Sequence, residues 1–323
     1  MRRALRVAFW ALAVVVGLGV LLVYFLYSPA GEMPQLSGSL TRGTIKVGAL
    51  TRTYRTYLPK GLKQGAPLVV AMHGSGESGA QMRIETGYGF DRLADAKGFV
   101  VVYPDAYEGY WNGCNVVGDY DANRLNIDDV GFLDALVDKL AGETGIDPTR
   151  VFATGISRGG SMALRLALEA PSRFRATAAV SEGQPTPGNF KCKPVGHGTS
   201  SVMIMNGTDD PLVPFDGGEV SLFGLFVKRG TVLSARDSAR YFANLNNLAD
   251  RPQVSETQFA DGVGVERMLW HGAAGVEVEL VAVHGGGHGM PQPYRRHPRL
   301  LGPSPKEPNG PQVIWDFFAR QRP

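Results

Sequence analysis

Cysteine is scarce in this chain of 323 residues, and so is any excess of charge of one sign. The two cysteines, Cys114 and Cys192, are 78 residues apart and form no C-x-x-C pair, which excludes a cysteine-bound metal cluster. Apart from Arg2, Arg3 and Arg6, the chain has 30 basic and 30 acidic side chains. A chain so balanced has no basic run to attract nucleic acid, so we expect neither a nucleic-acid partner nor a bound metal.

Charge is absent altogether from residues 7–27, and no acid precedes Glu32. As a helix this segment would be about 31 Å long, enough to cross the core of a bilayer. It is either an uncleaved signal anchor within residues 1–27 or a signal peptide cleaved near residues 28–30. Its length favours the anchor, because signal peptides have apolar regions of roughly 7–15 residues. The flanking arginines stay in the cytoplasm, so we expect an extracytoplasmic protein, either membrane-anchored or secreted.

Glycine is abundant, with 42 residues, and 44% of the chain is hydrophobic, which suits one α/β domain with many tight turns. Residues 28–42 predict a short tether, and residues 43–320 predict the catalytic domain. Apolar runs alternate there with helical patterns, which predicts a mostly parallel, doubly wound sheet flanked by helices. We expect strands at residues 44–47, 53–58, 67–72, 99–103, 151–153, 176–180, 201–205, 265–270 and 276–283, and helices at 84–97, 128–142, 161–168, 233–248 and 313–320.

One of these strands leads directly into a turn that carries a serine. The run at residues 151–153 is followed by Gly155-Ile-Ser157-Arg-Gly159, and a helical pattern starts at Ser161. A nucleophile elbow needs this order of strand, tight turn and helix. The turn strains the serine backbone, so the residues two positions away must be very small, as Gly155 and Gly159 are. An ordinary turn is the alternative, but the flanking strand and helix favour a nucleophile.

An aspartate and a histidine follow two later strands. Ser157, Asp210 and His288 each come just after a predicted strand end, in the chain order that α/β-hydrolases use. A histidine must take the serine proton and a carboxylate must hold the imidazole, so the three predict a hydrolase triad that needs no cofactor. Asp209 is the alternative acid, and His284 is the alternative base, although its place at the strand end is more typical of a structural residue. We interpret His197, His271 and His297 as ordinary surface or loop residues.

The strand at residues 67–72 ends in His73-Gly74-Ser75-Gly76. The α/β-hydrolase fold places half of its oxyanion hole after this strand. We expect the backbone N–H groups of Ser75 and Arg158 to converge on the developing alkoxide, each worth about 10²–10³ in rate. A tight strand-to-helix turn is the alternative, since it would use the same residues.

Seven motifs together resemble one family. They are residues 67–74, 98–104, 111–112, 128–132, 155–160, 207–214 and 285–288. In this order they resemble the feruloyl esterase and polyhydroxybutyrate (PHB) depolymerase-like esterases, which are exported serine esterases of the α/β-hydrolase fold. The resemblance implies that Ser157, Asp210 and His288 form the triad, and its Gly-Thr-x-Asp-Pro pattern selects Asp210 over Asp209. Relatives often carry Asn or Ala where this chain has Arg158, so substrate choice is expected to differ.

The resemblance implies a carboxylic-ester hydrolase that acts on small-molecule esters. We expect small or aromatic (feruloyl-type) acyl esters to be preferred over solid polyester, because polymer-eroding enzymes usually carry a surface-binding module and this chain ends soon after its last helix. The alternatives are a PHB or hydroxyalkanoate depolymerase, a peptidase, and a non-catalytic binding module. Tyr110 and Trp111 are the candidates for stacking on a substrate ring, and packing within their own loops is the alternative. The other candidates are Tyr107, Phe215, Phe223 and Phe226.

The two cysteines predict one further feature. Export would place Cys114 and Cys192 in an oxidising compartment, and both lie in loops beyond strand ends on the side of the sheet that carries the triad. We therefore expect a disulfide between them, with two unrelated buried thiols as the alternative.

Overall fold

A computed structural model of the chain describes residues 2–29, 31–118, 120–195, 200–224, 226, 228–272 and 275–321. The helices are α1 (Arg2–Leu26), α2 (Gly79–Glu85), α3 (Gly89–Lys97), α4 (Asp121–Arg124), α5 (Asp129–Thr144), α6 (Arg158–Glu169), α7 (Ala235–Leu245) and α8 (Gly310–Arg320). The strands are β1 (Ser39–Val47), β2 (Leu50–Leu58), β3 (Leu68–Met72), β4 (Val100–Pro104), β5 (Val151–Ile156), β6 (Ala176–Val180), β7 (Ser201–Gly207), β8 (Gly218–Glu219), β9 (Thr231–Val232), β10 (Gln253–Gln258), β11 (Gly264–His271) and β12 (Glu277–Val283).

Ten strands form one sheet in the order β1-β2-β4-β3-β5-β6-β7-β12-β11-β10. The run from β4 to β12 is parallel, and antiparallel pairs extend both edges. This is the mostly parallel, doubly wound sheet that the sequence predicts. The winding direction reverses at β3, which pairs with β4 on one side and β5 on the other. Ligands of such sheets bind beyond the carboxyl ends of the strands at this reversal, where the loops after β3 and β5 diverge.

Helices cover both faces of the sheet with apolar side chains. On one face, α3 and α8 pack against the strands, and Phe152 of β5 stacks on Phe318 of α8 with ring centres 4.9 Å apart. On the other face, α5 and α6 cover β3 and β5, and α7 covers β7 and β12. The parallel strands are buried on both sides, which explains their continuous apolar runs. Their fixed carboxyl ends provide a rigid frame for the loops of the site.

Several elements differ from the sequence prediction, and three of these differences have a clear physical reason. The helix predicted at residues 84–97 is two helices, α2 and α3, because Gly87 and Tyr88 adopt positive φ values of 60° and 58° between them. β1 begins at Ser39, inside the predicted tether, because residues from Ser39 onward pair with β2. β10 was not predicted, because all its side chains are exposed and it has no apolar alternation.

The amino-terminal helix α1 contains a stretch, Leu5–Leu26, that is long and apolar enough to cross a membrane. Its large apolar side chains are exposed in the structure. The predicted apolar helix is therefore present. Its assignment as a signal anchor or as a signal peptide stays a prediction.

Candidate active site

Ser157 occupies a strained turn between β5 and α6. Its φ of 53° and ψ of −117° lie where residues other than glycine are rarely found. Its N–H donates to the carbonyl oxygen of Val180 at 2.8 Å, and its carbonyl oxygen accepts from the N–H of Ser161 at 2.9 Å. Hydrogen bonds on both sides of the residue thus hold the strained conformation. This is the backbone geometry that a nucleophile elbow requires.

The elbow also touches the end of β3. A Cβ atom on Gly159 would lie 2.2 Å from the carbonyl oxygen of Met72, so no larger residue fits there. This contact brings the loop that carries Ser75 beside the turn that carries Ser157. The N–H of Arg158 belongs to the first residue of α6 and therefore has no acceptor within the helix. The assignment of the Ser75 and Arg158 N–H groups as oxyanion donors stays a prediction.

His288 is hydrogen-bonded to Asp210. The His288 Nδ1 atom lies 2.8 Å from Asp210 Oδ2, and both residues are buried. The other oxygen, Oδ1, accepts from the N–H groups of Leu212 and Val213 at 2.8 and 2.9 Å. Burial lowers the pKa of His288, but the charge and hydrogen bond of Asp210 outweigh this and raise it above its usual value. Asp209 is exposed, and the carboxylate that His288 contacts is that of Asp210.

A cavity of about 190 Å³ contains both Ser157 and His288. We call it the substrate cavity; Ser75, Glu77, Glu85, Arg229 and His297 are among its other lining residues. A larger cavity of about 320 Å³ lies beside β1, β2 and α5, lined by residues such as Lys139 and Glu143. Cavity size therefore does not identify the site, whereas the joint presence of the serine and the paired histidine does.

His73 fixes the loop after β3, whose residues Gly74 and Ser75 line this cavity. Its Nδ1–H donates to the Gly74 carbonyl oxygen at 2.7 Å, and its Nε2 accepts from the N–H of Ala106 at 3.0 Å. Burial lowers the pKa of His73 to about 4, so the imidazole is neutral. The N–H of Gly74 donates to the Glu77 carboxylate at 2.9 Å. The conformation of the Ser75 segment is thus set by its own neighbours.

Arg158 holds a second loop with its side chain. The guanidinium is buried and donates to the carbonyl oxygen of Trp111 at 2.7 Å and to the side-chain oxygens of Asn115 and Asn123. Burial lowers the pKa of Arg158 to about 10. All of these acceptors lie between β4 and α5, so the Arg158 side chain holds this segment.

The same loop carries the predicted disulfide. Cys114 and Cys192 are joined, with their Cα atoms 5.0 Å apart. The adjacent backbone also pairs, since the N–H of Lys191 donates to the Cys114 carbonyl oxygen at 2.9 Å. The bridge therefore ties the loop that holds Arg158 to the segment after β6.

The aromatic candidates have mixed outcomes. The prediction that Trp111 stacks on substrate is wrong, because the ring is fully buried and its Nε1–H donates to the His73 carbonyl oxygen at 3.1 Å. Phe215 is buried as well. Tyr110 is half-buried and stacks on Tyr120, with ring centres 4.4 Å apart. Tyr107 is half-buried, and Phe223 and Phe226 are exposed.

The histidines set aside in the sequence also divide. His297 lies in a loop, as interpreted, but it is not at the surface: it is buried, lines the substrate cavity and donates from Nε2–H to the Met290 carbonyl oxygen at 3.0 Å. Its burial depends on how the loop after β12 folds back on itself, which no local motif reveals. His271 and the rival base His284 are exposed. His197 lies outside the described residues.

The sequence analysis missed three carboxylates of the site, Glu77, Glu85 and Glu182, because none of them belongs to a motif. Burial raises the pKa of Glu85 to about 8, and the charge of Glu77 beside it contributes. Glu182 lies in a smaller cavity of about 20 Å³ that Ser157 also lines. Burial raises the pKa of Glu182 to about 7. The Glu85 and Glu182 carboxyl groups both share a cavity with Ser157, and their raised pKa values favour protonation near neutral pH.

Comparison with known proteins places the chain in a family. Residues 52–185 match the family model described as Esterase PHB depolymerase. NocK of Nocardia uniformis subsp. tsuyamanensis, which is named as an esterase, is 31% identical over 90% of this chain and 86% of its own length. The chain belongs to the PHB depolymerase-type esterases. Feruloyl esterase D of Neurospora crassa is 26% identical to this esterase over 91% of the chain and 90% of its own length.

A solved structure shows the fold of this esterase independently. The acetyl xylan esterase from Aspergillus awamori superposes with a TM-score of 0.54 at 16% identity, covering 78% of this chain and 94% of that chain. At such low identity the likeness shows the fold alone. The predicted α/β-hydrolase fold is confirmed.

Proposed function

We propose that this chain is an exported serine esterase that cleaves carboxylic esters through Ser157, His288 and Asp210. The observation that carries this proposal is the His288–Asp210 hydrogen bond of 2.8 Å in the same cavity as the strained Ser157. A strained elbow serine, a buried histidine and a carboxylate held by two backbone N–H groups are the parts that acyl transfer needs.

In the first half-reaction, Ser157 Oγ attacks the ester carbonyl carbon while His288 Nε2 takes its proton. Asp210 accepts the Nδ1–H of His288 throughout and stabilises the imidazolium that forms. The backbone N–H groups of Ser75 and Arg158 stabilise the alkoxide. As the alkoxide collapses, the alcohol leaves with the proton from Nε2, and the acyl group stays on Ser157. Water then attacks this acyl-enzyme with the same proton transfers, and the free acid and Ser157 are released.

Small and feruloyl-type acyl esters are the substrates best supported. The substrate cavity of about 190 Å³ is below the roughly 300–1,000 Å³ of drug-sized sites. A relative that aligns with most of this chain is named feruloyl esterase. The half-buried ring of Tyr110 lies near the Ser75 loop, where an aromatic acyl group could contact it. A polyester is the second candidate, because poly(3-hydroxyalkanoate) depolymerase C of Paucimonas lemoignei is 27% identical over 73% of this chain and 58% of its own length.

Location follows from the amino-terminal segment. The apolar helix α1 and the Cys114–Cys192 disulfide are both features expected of a protein outside the cytoplasm. We propose that the catalytic domain, from the start of β1 at Ser39 to about residue 320, lies on the outer side of the membrane, either anchored there by α1 or released after export.

A substrate panel tests this proposal with purified full-length protein in detergent. We expect turnover of p-nitrophenyl acetate and methyl ferulate, little clearing of a PHB film, and no turnover of the matching p-nitroanilide. A fluorophosphonate should label Ser157, found by peptide mass spectrometry, and should not label Ser157→Ala. Folded protein that is neither labelled nor active on any ester would contradict the proposal, and film clearing without ferulate turnover would favour the polyester.

A further inference from the structure

Arg229 places a cation beside Ser157. It lines the substrate cavity with Ser157 and His288, and it also lines the cavity of about 20 Å³ that Ser157 shares. Its Nη1–H donates to Ser75 Oγ at 2.9 Å. Its guanidinium carbon lies 5.2 Å from the ring centre of Tyr120, within the range of cation–π attraction. These contacts hold the guanidinium next to the reacting atoms.

The charge of Arg229 forms no ion pair among the described residues. Other arginines there do, as Arg236 does with Glu266 at 2.6 Å and Arg320 with Glu279 at 2.7 Å. A guanidinium has five N–H donors. In the described part of the chain, the hydrogen bond to Ser75 occupies one donor of Arg229, and its Nε–H is buried without an acceptor. An arginine in this state has donors to spare for a ligand.

The acids around Arg229 only partly neutralise it near neutral pH. Burial raises the pKa of Glu182 to about 7, and its Oε1 accepts from the N–H of Gly183 at 3.0 Å. Elsewhere in the substrate cavity, burial raises the pKa of Glu85 to about 8 beside Glu77, so this pair holds a proton at neutral pH. Repulsion of an incoming anion by these three groups is therefore reduced.

We propose that Arg229 binds a carboxylate on the substrate, so that the preferred esters carry a free acid group within reach of the scissile carbonyl. Arginine and carboxylate form two parallel N–H···O bonds, and this pairing is stronger in a water-poor cavity than at an exposed surface. The inference rests on the proposed esterase function and narrows its substrate class.

Isosteric ester pairs test the inference with the full-length protein. Monomethyl glutarate and methyl 5-methylhexanoate differ only in whether the acyl chain ends in a carboxylate or an isopropyl group. 4-Acetoxybenzoate and 4-isopropylphenyl acetate place the same difference on the alcohol side. The measured quantity is the ratio of kcat/KM for the acidic ester to that for its neutral partner.

In Arg229→Gln we expect this ratio to fall about 10- to 100-fold for one of the two pairs, as loss of a charged hydrogen bond predicts. Arg229→Lys should give an intermediate ratio, because lysine keeps the charge but cannot donate two parallel hydrogen bonds to a carboxylate. Arg251→Gln, which neutralises an exposed arginine in the turn before β10, is the matched control and should keep the wild-type ratio.

Two results, both of which leave the ratio unchanged, would overturn the inference: kcat/KM values that stay at the wild-type level in Arg229→Gln, or kcat/KM values that fall equally for both esters of each pair. The second result would make Arg229 a positioning residue for the Ser75 loop. Calorimetric binding of monomethyl glutarate and of 4-acetoxybenzoate to Ser157→Ala, with and without Arg229→Gln, needs no turnover. Binding of either ester that weakens at least 10-fold supports the inference even if hydrolysis fails, and unchanged binding of both overturns it.

Discussion

Gly155 and Gly159 lie in direct contact across the elbow turn, so that a Cβ atom on Gly155 would lie 2.2 Å from the carbonyl carbon of Gly159. Backbone cannot move aside as a flexible side chain can. We expect Gly155→Ala to lower the free energy of unfolding by about 3 kcal/mol. Gly142→Ala is the control: this glycine lies in α5 with open space around it, so alanine should raise stability by about 0.5–1 kcal/mol. Urea unfolding measures both, and equal stabilities would contradict the packing argument.

Ser157 should lose activity with either alanine or glycine but differ in stability between the two. Both substitutions remove Oγ and should abolish ester hydrolysis. The φ of 53° and ψ of −117° strain any residue with a Cβ atom by about 1–3 kcal/mol. Ser157→Gly should therefore be more stable than Ser157→Ala by this amount, reduced by the entropy that the more flexible glycine loses on folding. Thermal unfolding of the two variants is the measurement. Wild-type turnover in folded Ser157→Ala would contradict the serine mechanism.

Asp210 and Asp209 offer a matched pair of neighbouring acids. Asp210→Asn should reduce kcat by a factor on the order of 10³–10⁴, because the amide favours the wrong histidine tautomer. Asp209→Asn should stay within a few-fold of wild type, since Asp209 is exposed and its Oδ1 accepts from Thr208 Oγ1, at 3.1 Å, and not from His288. Steady-state kinetics on p-nitrophenyl acetate decide the assignment, and a larger loss in Asp209→Asn would reverse it.

The pH profile should reflect the raised pKa of His288. The imidazole must be neutral to take a proton, so kcat/KM should fall as pH falls through a pKa above the usual 6.5. Asp210→Asn removes the charge that raises this pKa, so its residual activity should have its acid limb at lower pH. Glu182→Gln removes a weaker raising charge and should shift the limb in the same direction by less. A limb that does not move in Asp210→Asn would contradict the coupling.

Loss of the Cys114–Cys192 bridge should destabilise the domain. Closing a loop of 78 residues contributes about 4 kcal/mol in the chain-entropy model. The double variant Cys114→Ser/Cys192→Ser should therefore unfold at lower urea and should match wild type treated with reductant. Denatured, unreduced wild type should show no free thiols, and two titratable thiols would contradict the bridge.

The sequence by itself determined the elements whose signals are local. The run before Gly155, the glycines around Ser157 and the helical pattern after them predict a strand, a strained turn and a helix, and each is present. Strands buried on both faces have continuous apolar sequences, so the parallel sheet could be predicted as well. The helix over residues 84–97 could not be bounded, because the break at Gly87 depends on a positive φ that composition does not reveal.

The contacts between distant side chains came from the tertiary structure. The family resemblance favoured Asp210 over its neighbour Asp209, and the fold shows that Asp210 is the carboxylate that His288 contacts. Trp111 was a candidate for contact with substrate but is buried within its loop, whereas His297 was expected at the surface or in a loop but lines the cavity from a buried position. Burial depends on what covers a residue and not on its type. Arg229 reaches Ser75 over 154 residues of chain, and no periodicity or spacing encodes a contact between two loops.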